Sequence, residues 1–161
     1  MRYLNGLGAL ARALEEAAVV HQTALGVLAE GAAEVMHHKA HNIFGDNTKL
    51  RDLEQSTQDE RDRLGYSRND PLYRDGTMLQ ASVEKAATAD GLGGALAGIG
   101  SAEKVLAYHE FGYHNVRAGR FVAPRPVFKI SMAESAPEIE TLIEEAVNVT
   151  FLGPSSIELV P

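Results

Sequence analysis

The chain contains no cysteine and no tryptophan, and its aromatic content is only 6%. Without cysteine there is no disulfide framework, no thiolate metal site and no cysteine nucleophile, which fits a cytoplasmic place of synthesis. No apolar run approaches the roughly 20 residues needed to span a bilayer, and no basic region leads into an apolar core at the N-terminus. Neither a membrane contact nor export is expected. Basic residues are scarce relative to acids: 15 Lys and Arg against 22 Asp and Glu give a formal charge of −7. General affinity for nucleic acid needs cations that displace counterions from phosphate, and this balance argues against it. An acidic wall would let DNA pass without sticking, although plain solubility is the simpler account of the charge.

What is present is ordinary for a folded chain. Hydrophobic residues make up 45% and charged ones 23% of 161 residues. That length suits one domain with a real core, since domains typically run to about 100–150 residues. A single domain over residues 1–161 is expected, with a long polar connection at 42–77 and an extended tail at 153–161.

Residues 7–41 read as one long helix. Leu7, Leu14, His21, Leu28 and Val35 recur every seven residues, with Leu10, Ala17 and Ala24 between them, and such a stripe lies on one helix face. The seam is too short and alanine-rich for an autonomous coiled coil, so it should pack on the domain's own sheet or on a neighbouring copy. Residues 42–77 turn polar, with Asn42, Gly45, Asp46 and Asn47 marking a turn and Asp52 to Arg63 alternating acid and base. They predict a short solvated helix or a long loop.

Two strand-length segments, Ser82-Val83-Glu84-Lys85-Ala86 and Ala95-Leu96-Ala97-Gly98-Ile99, flank Asp90-Gly91-Leu92-Gly93-Gly94. A hairpin is the simplest reading. Glu103 to Phe111 predicts a short helix stopped by Gly112, followed by a loop. Val127-Phe128-Lys129-Ile130 is a further candidate strand leading into a last helix, where Ile139, Leu142, Ile143, Ala146 and Val147 recur at helical spacing. Ser135 with Glu138 has the spacing of a capping box at that helix's start. Gly153-Pro154 should end it, and Ile157-Glu158-Leu159-Val160 is either a strand for a neighbour's sheet edge or a frayed terminus.

Motifs of chemistry are weak. His37 and His41 lie four apart on a predicted helix, with His38 between, and can present two nitrogens to one metal. No third ligand stands at a compelling spacing, so no metal or cofactor is expected. His109 and His114 are five apart, which rotates the second imidazole off the face that a zinc-protease helix needs. The glycines from Gly91 to Gly100 lack the Lys-Ser/Thr ending of a phosphate loop, and turns explain them better. A small metal-binding protein or enzyme using His37, His38 and His41 is the alternative reading of function.

Three boxes in order carry a resemblance over roughly residues 70 to 130. The first is Pro71-Leu72, Asp75-Gly76 and Leu79-Gln80-Ala81-Ser82-Val83; the second is Tyr108, Glu110, Phe111 and Gly112; the third is Ala123, Arg125, Pro126 and Phe128. Together they resemble the bacteriophage minor tail, or virion-morphogenesis, family. There are departures: Asp75 stands where the family has Thr, one extra residue separates Gly76 from Leu79, and Val127 separates Pro126 from Phe128.

The resemblance implies an α+β fold with a long N-terminal helix, a small, mostly antiparallel sheet and a C-terminal helix. It implies a structural virion protein, not an enzyme, made in the bacterial host cytoplasm and placed in the neck or tail for tail completion or head–tail joining. Its partners would be other copies of itself in a ring, expected as a hexamer, and neighbouring neck and tail proteins, with DNA passing through without specific binding. Gly76, Leu79, Ser82, Tyr108, Glu110, Phe111, Gly112, Pro126 and Phe128 are the residues it assigns to the fold. Arg117, Arg120 and Arg125 belong to a basic segment and are the candidate intersubunit contacts, with Glu110 a possible partner for Arg125.

Overall fold

The computed structural model describes residues 7–44, 46, 48–66, 72, 78–91 and 93–148. Helix α1 spans Leu7–Ile43, 37 residues without proline, and at 1.5 Å per residue it is about 55 Å long. That is more than the core can cover. Ala29, Ala32, Ala33, Met36, Ala40 and Ile43, spaced three and four apart, are the buried face. The expected heptad seam does not match it, since Leu14 is 62% exposed and Leu28 and Val35 are half-buried. Alanine rather than leucine marks the contact face because the neighbouring elements come close to the helix backbone.

One such element is the expected hairpin. Strands β1 (Glu84–Ala89) and β2 (Ala95–Gly100) pair antiparallel from Glu84↔Gly100 to Ala89↔Ala95. The turn is closed by Asp90, whose N–H donates to the Gly94 carbonyl at 3.0 Å while its carboxylate accepts the Gly94 N–H at 2.8 Å. Lys85 fastens the hairpin to α1 through Glu30, at 2.8 Å, and Glu34. Lys85 holds the Glu34 carboxyl below its usual range, by hydrogen bonding first and charge second.

The polar connection holds helix α2 (Gln55–Leu64), which buries no residue and ends on Gly65 in the left-handed region at φ 76°. A single turn, α3 (Met78–Ala81), precedes the hairpin. After it come α4 (Lys104–Phe111), β3 (Tyr113–Asn115), β4 (Arg120–Val122) and α5 (Val127–Val147). The segment read as a loop after Gly112 is therefore a second antiparallel hairpin, with Tyr113↔Val122 and Asn115↔Arg120 as its ends. Three-residue strands are too short to declare themselves by alternation.

The expected strand at 127–130 is also corrected: those residues open α5. Ser135 is not a cap. It is fully buried mid-helix and donates its hydroxyl to the Ser131 carbonyl at 2.6 Å, while Glu138 faces Lys39 of α1 in an ion pair. Leu142 lies against Gly31 of α1, where a Cβ would sit 3.5 Å from its Cδ1, and Lys49 pairs with Glu134 at 2.7 Å. Thus α5 runs back along α1.

The core gathers at the C-terminal end of α1. Ala40, Ile43, Phe44, Leu50, Leu72, Val83, Leu106 and Val127 are buried there, with Leu79, Ile99, Phe128 and Ile130 packed against them. Among the described residues no helix is long and apolar enough to cross a membrane. Gly76, the Gly153-Pro154 stop and the tail at 153–161 lie outside the described residues.

Candidate functional site

The second and third boxes meet at the junction of α4 and α5. Glu110, one residue from the end of α4, accepts the N–H of Phe128 on Oε2 and of Lys129 on Oε1, each at 2.9 Å. First-turn N–H groups of a helix have no partner within it, and a carboxylate there also meets the positive end of the helix dipole. Pro126 stands at the N-cap position and offers no side-chain bond. A side chain 18 residues back thus performs the capping, which decides where α5 begins.

Gly112 turns the chain between α4 and β3. Its φ of 75° and ψ of 167° fall in a region open essentially to glycine alone. A Cβ there would stand 2.6 Å from Phe121 Cζ and 2.7 Å from the Val122 carbonyl oxygen. The turn and the packing of β4 both require the bare Cα.

Arg125 closes the other side. It is 7% exposed. Its Nε donates to the Arg51 carbonyl at 2.9 Å and its Nη2 to the Asp52 carbonyl at 3.0 Å, while its backbone N–H donates to the His109 carbonyl at 2.6 Å. Burial, and then the charge of Arg51, push its pKa down, but a guanidinium stays protonated. The assignment of Arg125 to an intersubunit contact is corrected, because it joins three segments of its own chain. Nor does Glu110 pair with it; that carboxylate is committed to α5.

His109 lies against this staple. Its Nδ1 is buried with no hydrogen-bond partner, and burial, followed by the charges of Arg125 and Arg61, lowers its pKa to about 4. The ring is neutral at pH 7.

The remaining expected residues divide into inner and outer sets. Leu79 and Phe128 pack on the core, and Ser82 donates to the Leu79 carbonyl and meets the Ser101 hydroxyl, both at 2.8 Å. Tyr108 and Phe111, which the resemblance assigns to the fold, are 53% and 78% exposed; Leu106 is the α4 residue that enters the core. Val105, Leu106, Tyr108 and Phe111 are all apolar candidates by sequence, and an eight-residue helix is too short for a stripe to single out Leu106. Arg120 pairs with Glu54 across to the polar connection. Arg117 sits exposed in the β3–β4 turn and makes no ion pair among the described residues.

The histidines of α1 do come together in part. The His37 and His41 rings are 4.3 Å apart between centroids. His37 Nε2 lies 3.0 Å from the Val83 carbonyl and His38 Nδ1 lies 3.3 Å from Asn42 Nδ2. Among the described residues no three His, Cys, Asp or Glu side chains are grouped to hold a metal.

No protein-family model, curated protein or solved structure matches this chain.

Proposed function

We propose that this protein is a structural component of a phage neck or tail, acting in tail completion or head–tail joining and assembling with copies of itself around the DNA axis. The supporting observation is the work done by the box residues. Glu110 caps α5, Gly112 permits the turn, and Arg125 ties residues 51, 52 and 109 together. These are positions a family would keep for its fold rather than for a reaction, as the resemblance implies. Function then resides in surfaces, through complementary contact with other copies and with neck and tail neighbours.

The net negative charge suits passage of DNA without binding, because like charge repels phosphate. Electron microscopy of particles from a phage carrying an early stop codon in this gene tests the proposal. Separate DNA-filled heads and tails are the expected result; intact, infectious virions would overturn it.

A further inference from the structure

Two exposed apolar surfaces stand out among the described residues. The first is the projecting half of α1. Residues 17–29 contain no Asp, Glu, Lys or Arg, and Leu14, Val19, Val20 and Val27 are each more than 60% exposed. His21, Leu25 and Leu28 share a half-buried face, whereas Val19, Val20 and Val27 lie on other faces at 100° per residue, and apolar faces of a helix left open in this way belong in an interior. Glu15 and Glu16 stand at its foot and, with Arg12, Val19 and Val20, line a shallow hollow. Neither carboxylate makes an ion pair among the described residues.

The second surface is the outer face of α4 and the β3–β4 hairpin. Phe111 is 78%, Val116 85% and Phe121 61% exposed, and Arg117 projects beside them. The ring of Phe121 lies over Gly112, one residue along the chain from Phe111, and the hairpin with these exposed aromatics forms a knob. Residues 111–133 contain no acid. Aromatics with an arginine are the composition of an interface centre.

We propose that these surfaces bind each other between copies: the aromatic and basic knob of one protomer docks on the apolar, acid-footed projection of α1 in the next. This rests on the ring reading above. Apolar area meets apolar area, and Arg117 meets Glu15 and Glu16. Fitting both needs suggests a second copy over an unrelated partner, because one chain carries both complements. The surfaces also sit far apart. The knob is at the core end of α1, and Val20 lies about 30 Å along the helix from Ala40. Two different, distant patches make a head-to-tail contact, which builds rings or filaments and not a closed two-fold dimer.

The absence of cysteine makes the test clean. In the purified full chain, Val20→Cys and Val116→Cys are introduced singly and together, treated with a short bismaleimide, and resolved on a denaturing gel; native mass spectrometry reports assembly. A ladder of linked oligomers from the double variant, with each single variant staying monomeric, is the expected result. A linked dimer from Val20→Cys alone would overturn the proposal in favour of a two-fold helix pair. Oligomers without a ladder would overturn this contact while leaving the ring. A monomer at all concentrations overturns the self-contact; if Val20→Cys then also resists maleimide, the cover lies within the chain. The phage experiment is independent, since heads and tails separated by the stop codon would keep the function even if no ladder forms.

Discussion

Gly112 and Gly98 have opposite expectations. Gly98 has open space around it and no unusual φ, so Gly98→Ala should leave stability within about 0.5 kcal/mol. Gly112→Ala should lose at least the 1–3 kcal/mol (on the order of) of backbone strain at that φ and ψ, and more because the Val122 carbonyl cannot swing away as a side chain can. Urea denaturation of both variants gives the comparison. Glu110→Ala should cost about 1–2 kcal/mol, the range for a lost cap, with Glu110→Gln retaining part of it through its remaining carbonyl oxygen. His109 supplies a pH signature. Its folded pKa of about 4 lies below the roughly 6.5 of an unfolded histidine, so the unfolded chain binds the extra proton. Its contribution is therefore whole above about pH 6.5 and lost as pH falls towards 4. Relative to His109→Gln, the parent should lose on the order of 1–2 kcal/mol across that window, less than a full conversion because the ring is only part-buried. Melting curves at several pH values check it, and a constant difference between the two proteins would refute it. His41, also shifted down by burial, titrates equally in both. The box spelled out Glu110 and Gly112, but nothing in the chain's order said that the carboxylate would reach α5 or that Arg125 would turn inward.

At the scale of elements, α5 is the instructive case. Ser135 with Glu138 has the spacing of a cap, but spacing is blind to what precedes it; once Glu110 caps residues 128 and 129, the helix already exists eight residues earlier. Ser135→Ala should accordingly stay within about 1 kcal/mol of the parent, since a hydroxyl bonded to the carbonyl four residues back adds little to a helix, and far-UV circular dichroism should show no lost helix. A loss like that of Glu110→Ala would restore the capping-box reading. The first hairpin was legible because Asp90 and the glycines at 91 and 93 specify a turn. The second was not, because three-residue strands carry too little pattern. In α1 the periodicity announced a helix over nearly its true length, yet the sevenfold leucine seam misplaced its contact face. Packing chose Ala29, Ala32, Ala33 and Ala40, whose small side chains admit α5 and the hairpin close to the backbone.

On the scale of the whole molecule, the core occupies one end and α1 projects from it. Val27 is 69% exposed, so Val27→Ser should leave the melting temperature of the monomer essentially unchanged, whereas Val127→Ser, at a buried core position, should lose several kcal/mol. Thermal melts of the two distinguish an exposed position from a core one. Helical periodicity was enough to draw the long helix, and turn chemistry the turn of the first hairpin, because those follow from contacts between residues near in the chain; the hairpin's alanine-rich strands, weak in propensity, and the α+β plan leaned on the resemblance. Folding in three dimensions was needed to make Glu110 a cap, to bury Arg125 against the carbonyls of Arg51 and Asp52, and to leave Phe111 and Val20 uncovered. Each of those outcomes depends on segments dozens of residues apart competing for the same space, and no local pattern records who wins.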